Sequence, residues 1–344
     1  MVQITQNNSS TIILLKKIID KNNFKQIVII TDNNSKKYCL KDIESAFKPN
    51  NFINININPG EKEKNLTTCI NIWQTLINNR ISRHSLIIGI GGGVICDIVG
   101  FIANTYKRGV NYMLIPTTLL AQIDATIGGK NGINFNSVKN SIGTFGKPQS
   151  IIINTSFLST LSNKEFTVGL TEVVKYGIIA ENSILKSIET GEYKYNIYDL
   201  IKKSVNIKND IVKKDFYDLG LRKSLNFGHT IGHGIESVYN YNVSHGEAVA
   251  FGMIGALLLS SKVLNYPKAK CTNIIELIKN NLILPEIKDD DIPHIIEKME
   301  NDKKNNDGKI MFVLLDNNCD IKIDVPINTE TLQDIIRETI KLCS

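Results

Sequence analysis

With 344 residues, 42% hydrophobic and 22% charged, the chain has the balance of a globular protein large enough for two cores. Its net charge of +6 comes from lysines scattered along the chain, not from a basic stripe among aromatics, which excludes a nucleic-acid-binding reading and suits an enzyme of a small anion. Six scattered cysteines without a CxxC pair exclude a zinc ribbon and a disulfide framework and fit a reducing compartment. Without a basic, apolar and small-residue pattern near residue 1, no signal peptide is expected. The longest apolar run, residues 248–259, falls short of the ~20 residues a membrane span needs, so no membrane partner is expected and the expected location is the cytoplasm.

In chain order, QIVIITDNN (26–34) is a β-branched run ending in turn residues and predicts a strand. Residues 35–47 have helical spacing, NFINININ (51–58) alternates as a strand does, and 64–81 predict a helix. A buried strand over 85–93 runs into glycine, a helix follows over 94–106, and another strand over 111–118. This alternation implies a mostly parallel sheet covered on both faces. From about residue 166 the period becomes helical, over 166–190, 196–214, 225–238, 246–264, 272–281, 290–300 and 329–342, with one strand pair around 309–325. The expected organisation is an α/β domain over 1–165 and a mainly α-helical domain over 166–344. An Asn-, Ile- and Lys-rich background makes the surviving glycines and histidines stand out.

Four stretches carry chemistry. LIIGIGGGVICDIVGF (86–101) puts Gly89, Gly91, Gly92 and Gly93 between a strand and a helix, where backbone can approach a diphosphate at the helix N-terminus; the spacing is not GxGxxG, and a plain tight turn is the alternative. IPTTLLAQIDATIGGKNGIN (115–134) gathers Thr117, Thr118, Asp124, a diglycine and Lys130, with Lys139 and Asn140 shortly after, a polar lining for an anionic ligand or a surface loop. GLTEVVKYGII (169–179) places Glu172 and Lys175 one helical turn apart among apolar residues. NFGHTIGHGIESVYNYNVSHGEA (226–248) holds three of the five histidines: His229 and His233 at i, i+4, Glu236 on the same face, and His245 after a loop. Two histidines with a carboxylate from elsewhere satisfy a catalytic zinc site of three protein ligands; spacing alone leaves the third ligand open.

Taken together, GGGVICDIVGFIANTYKRG, IPTTLLAQIDATIGGKNGIN, GLTEVVKYG, RKSLNFGHTIGHGIE and HGEAVAFGM resemble the 3-dehydroquinate synthase family, in family order over about residues 26–315. The resemblance implies an α/β N-terminal Rossmann-like domain binding NAD, a helical C-terminal domain carrying Zn2+ or Co2+, and an active site in a cleft. It implies Glu172, His229 and His245 as metal ligands. NAD contacts are implied at Asp32, Glu61, Lys64, Gly92, Gly93, Asp97, Thr117, Thr118, Lys130, Lys139 and Thr160. Contacts to a sugar acid phosphate are implied at Asp124, Lys130, Asn140, Lys175, Lys208, Arg222, Asn226 and His233, with Lys303 or Lys304 near the phosphate. Arg108 is expected to reach a neighbouring subunit's site, which implies a homodimer. The chain departs from the family at Val138 (a glycine there), at Phe135–Asn136 (a His-Pro), at Phe216 (the second of an acidic pair) and at Asp218 (a glutamate); these bear on loop geometry, not on the chemistry. The implied reaction is a shikimate-pathway lyase step with catalytic NAD. Another sugar phosphate cyclase or a metal-dependent polyol dehydrogenase is the alternative.

Overall fold

The computed structural model describes residues 1–47, 52–136, 138–240, 242–300 and 309–343, so Lys303 and Lys304 lie outside the described residues. The chain forms two compact units: residues 1–166 with 197–209, and residues 167–196 with 210–344.

The first unit runs β1 (Val2–Thr5), α1 (Asn8–Asn22), β2 (Ile27–Asp32), β3 (Phe52–Ile57), α2 (Leu66–Asn78), β4 (Leu86–Gly91), α3 (Gly93–Thr105), β5 (Asn111–Pro116), β6 (Lys130–Phe135), β7 (Val138–Phe145) and β8 (Ser150–Asn154). Six strands make one parallel sheet in the order β1-β8-β5-β4-β2-β3. Every residue of β4, and all of β2 but Asp32, is buried, so these strands read as continuous apolar runs with no alternation, as strands covered on both faces do. Ile29, Ile88 and Met113 lie side by side across β2, β4 and β5.

Where one helix is expected over 35–47, the chain instead makes a short α turn (Asn33–Ser35), a π turn (Lys36–Leu40), a second α turn (Lys41–Ile43) and a 3-10 turn (Glu44–Ala46). The winding is irregular, yet Cys39, Leu40, Ile43 and Ala46 still reach one core cluster, as their i, i+1, i+4, i+7 spacing leads one to expect. Sequence periodicity also leaves β1, α1, β8 and the antiparallel β6–β7 hairpin unread. β1 and β8 are four and five residues long, too short to show a period, and the hairpin is glycine- and asparagine-rich.

The second unit takes α4 (Asn163–Ile179), of which 163–166 cluster with the first unit, then α5 (Asn182–Glu189), the end of α6 (Ile197–Lys214), α7 (His229–Val238), α8 (His245–Leu264), α9 (Lys268–Asn281), α10 (Ile292–Glu300), the antiparallel pair β9 (Ile310–Leu315) and β10 (Ile321–Ile327), and α11 (Thr329–Cys343). The helical stretch expected over 166–190 is broken into α4 and α5. Gly177 lets them fold together, since a Cβ there would lie 2.6 Å from Leu185. A single cut at residue 165 does not describe the units, because residues 197–209 of α6 cluster with residues 1–166. Leu200, Ile201, Ser204 and Val205 are buried on that stretch.

By length and composition α8 could cross a membrane, with a mean hydropathy of 1.6 over its 18-residue window; 72% of that window is buried within the protein. It is the core helix of its unit, buried from Gly246 to Leu257, and its length exceeds the apolar run visible in the sequence because the polar ends are helical too. α7 packs closely on it through glycine: a Cβ on Gly252 would lie 2.0 Å from the Gly228 carbonyl oxygen, and one on Gly232 would lie 3.2 Å from Val249.

Candidate active site

In the first unit the chain leaves β2 to form β3 on one side and then β4 on the other. Ligands of open α/β sheets bind where strand order reverses in this way, beyond the strands' carboxyl ends. Asp32 ends β2, Gly91 ends β4, and Thr117 follows β5. Gly92 precedes α3 without any side-chain cap, which leaves the first amides of a 13-residue helix open to an anion. Side chains are excluded here. A Cβ on Gly91 would lie 2.6 Å from Ile95, and one on Gly92 would lie 3.1 Å from Thr118. Thr118 Oγ1 accepts from the Ala121 amide at 3.2 Å. The Asp32 carboxylate accepts from the Ser35 amide at 2.7 Å, and Thr160 Oγ1 donates to the Phe157 carbonyl at 2.9 Å.

Four of the expected residues join one network. Lys64, 5% exposed, donates to Asp97 Oδ2 and to Asn140 Oδ1, both at 2.5 Å. The Asn140 amide donates to Asn134 Oδ1 at 2.9 Å, and Asn134 Nδ2 donates to Glu61 Oε1 at 2.8 Å. Burial pushes the Asp97 carboxyl above its ordinary range, and the Lys64 ammonium offsets only part of that rise. Asn134 links the two halves of the network, and sequence reasoning missed it; among so many asparagines nothing marks it. Lys208 Nζ donates to Asp124 Oδ1 at 2.6 Å and to its carbonyl at 2.9 Å. Lys130 is exposed at the start of β6, Lys139 is half-buried, and Arg108 is exposed with φ of 61°.

In the second unit Glu172 and Lys175, on α4, are fully buried, and Lys175 donates to Glu172 Oε2. A surface ion pair is therefore excluded. Glu172 Oε1 faces His229 Nε2 at 3.6 Å and His245 Nε2 at 3.5 Å. The three donor atoms lie within 4.8 Å of one another, and Oε1 is buried without a hydrogen bond. A buried carboxylate oxygen without a donor is costly; a cation held between it and the two imidazoles would satisfy it. The rings are prepared for that. His229 Nδ1 is 3.2 Å from the Phe227 carbonyl, which keeps the proton on Nδ1 and leaves Nε2 free to ligate. His245 Nδ1 is 3.3 Å from Glu236 Oε2. His245 opens α8 under a capping box, in which the Glu247 amide donates to Ser244 Oγ and the Ser244 amide donates to Glu247 Oε2. The donor set and its outer partners fit a divalent metal.

Charge is distributed unevenly across the triad. Burial alone would raise the Glu172 carboxyl, but Lys175, His229 and His245 outweigh it and hold the group well below the carboxylate range. Burial, reinforced by Lys175, pushes His229 well below its ordinary range, whereas His245, despite burial, is held up at about 10 by the Glu172 and Glu236 carboxylates. His233 is exposed, its ring centroid 5.3 Å from that of His229. With Glu236 and His245 it forms a second set of donors close enough for a metal. Arg222 is buried and its Nη1 donates to the Phe216 carbonyl at 2.7 Å. The Asp215 carboxylate accepts the amides of Leu219, Gly220 and Arg222 at 2.8–3.0 Å, while Asn226 ends the 3-10 turn Leu221–Asn226, half-buried.

Curated relatives match most of the chain. The 3-dehydroquinate synthase of Clostridium tetani is 38% identical over 82% of this chain and 77% of its own length, and that of Pyrococcus abyssi 41% identical over 74% and 76%. Among solved structures, the 2-epi-5-epi-valiolone synthase of Streptomyces hygroscopicus with NAD+ and Zn2+ aligns with a TM-score of 0.84 at 21% identity, covering 99% of this chain and 96% of that one. A 2-deoxy-scyllo-inosose synthase complexed with carbaglucose-6-phosphate, NAD+ and Co2+ aligns at 0.82 and 21%, over 98% and 96%. These two likenesses are of fold. The family model for the 3-dehydroquinate synthase N-terminal domain matches residues 54–168 and that for the C-terminal domain residues 169–305, and the chain belongs to the 3-dehydroquinate synthase family.

Proposed function

We propose that the chain converts 3-deoxy-D-arabino-heptulosonate 7-phosphate into 3-dehydroquinate and phosphate, a lyase reaction with no net oxidation. The observation that carries this within the family is the buried, donorless Glu172 Oε1 aimed at two imidazole Nε2 atoms. When bound, NAD would supply reversible hydride transfer at a secondary hydroxyl, and a Zn2+ or Co2+ ion would supply polarisation of that hydroxyl's oxygen.

Glu172, His229 and His245 would hold the metal. The open amides at Gly92 and Gly93 would take the cofactor's diphosphate, with Asp32, Glu61, Lys64, Asp97, Thr117, Thr118, Lys130, Lys139 and Thr160 around it. Lys130, Arg222 and His233 would neutralise the substrate's phosphate and carboxylate, the arginine as a bidentate fork and the lysine as a point charge. Lys175 Nζ and Asn226 would orient hydroxyls. Asp124, held by Lys208, would steer a proton; Asn140, anchored by Lys64, would bind a substrate hydroxyl. The phosphate of the substrate can itself take the proton lost in its elimination, so no strong protein base is required. The four buried cysteines among six free ones suit the cytoplasm, and we propose a homodimer in which Arg108 reaches the partner's site.

The test is to incubate zinc-loaded protein with NAD and the heptulosonate phosphate, following phosphate, the carbocyclic product and absorbance at 340 nm. Stoichiometric phosphate and dehydroquinate without accumulating NADH is the expected result. Bound zinc and NAD with no phosphate released would transfer the assignment to a sister sugar phosphate cyclase. NADH accumulating with a polyol would transfer it to a dehydrogenase.

A further inference from the structure

Glu236 is 3% exposed, and a carboxylate so buried is stable only where positive or hydrogen-bonding groups meet it. It faces His245 Nδ1 at 3.3 Å, while the opposite ring nitrogen of His245 faces Glu172. The two imidazoles of the triad are thus backed differently, His229 by a neutral carbonyl and His245 by a carboxylate. The pairing depends on how closely α7 and α8 approach. Glu236 lies seven residues after His229 on α7 and His245 begins α8; backbone contact at Gly228, Gly232 and Gly252 sets the register that brings them together.

Charge supplies the second argument. Lys175 already neutralises Glu172, so an ion bound there would bring two uncompensated positive charges into a buried place. Glu236 is a further carboxylate that offsets one of them. The alternative, that Glu236 is itself a ligand in the His233–Glu236–His245 set, would leave Glu172 Oε1 buried and unsatisfied.

We propose that Glu236 is a positioning residue for the metal: it fixes His245 with Nε2 toward Glu172 and supplies compensating charge, without touching the ion. This rests on Glu172, His229 and His245 being the ligands. The experiment measures zinc affinity by competition with a chromophoric chelator, together with the visible absorption of the Co2+-substituted protein, in wild type, Glu236→Gln, Glu236→Ala, His229→Ala and His233→Ala. An outer carboxylate on a ligating histidine is worth about 10–100-fold in metal affinity. That loss is expected in Glu236→Ala, a smaller one in Glu236→Gln, with metal-free melting of the glutamine variant near wild type and the Co2+ bands shifted in position but not lost. Zinc affinity within twofold of wild type in Glu236→Gln would overturn the proposal. So would a Co2+ spectrum showing a lost ligand. His229→Ala serves as the separate control: if it retains zinc while His233→Ala loses it, the ligand assignment itself is wrong and Glu236 is a ligand.

Discussion

Lys175 and Glu172 are both withdrawn from water on α4, so each is the other's main compensation. Removing one partner of a buried pair costs about 3–5 kcal/mol, because the remaining charge is left alone. Lys175→Met is therefore expected to lower the stability of the metal-free protein by about 3 kcal/mol, and added zinc is expected to recover much of that loss by giving Glu172 a new counter-charge. Thermal melts in EDTA and in excess zinc check this; an equal loss in both would show that the lysine does not serve Glu172. At this scale the sequence was informative but incomplete. The i, i+3 spacing of Glu172 and Lys175 showed that they share a face, and their apolar flanks suggested burial. Nothing in the spacing could show that Glu236, on the histidine face of α7, turns to a histidine across the following loop, or that Asn134 joins Glu61 to Asn140.

Elements set the precision of these residues. The loop before the 3-10 turn that carries Arg222 is tied by Asp215, whose carboxyl is held at about 2 by the amides of Leu219, Arg222 and Gly220. Its folded value lies below the ordinary ~3.9, so its contribution is complete above about pH 4 and is lost as pH falls through about 2. Amide exchange at Leu219 and Gly220 is expected to stay slow down to about pH 4 and then, relative to Asp215→Asn, to lose its advantage; protection independent of pH would refute the tie. For α7 and α8, Gly252→Ala pushes a methyl into the Gly228 carbonyl. Such overpacking costs about 1–3 kcal/mol and should lower both the melting temperature and zinc affinity; a full-affinity variant would show that register there is not critical. The strand–glycine–helix stretch 85–106 and the helices α6 and α8 were legible because an apolar period runs unbroken to a glycine or a cap. The β6–β7 hairpin was not, because β7 is largely exposed and the polar residues of both strands resemble a loop.

The whole chain is less divisible than a boundary near residue 165 suggests. Residues 197–209 complete the first unit and bring Lys208 to Asp124. A fragment of residues 1–166 is therefore expected to melt at a lower temperature and less cooperatively than one of residues 1–209, as circular dichroism would record; identical melts would mean the α6 segment adds nothing. The same unit carries a consequence for how the protein is made. Among the described strands β1 pairs, in parallel, only with β8, and Ser150 Oγ reaches back 149 residues to the Met1 carbonyl. Contacts of such sequence separation slow folding. At about 5–20 residues per second, β1 is synthesised on the order of 10 seconds before its neighbour β8 exists. Until then β1 has no strand to join, so the sheet can grow from its β3–β2 edge across β4, β5 and β8, and β1, made before all of them, is the last to find its place.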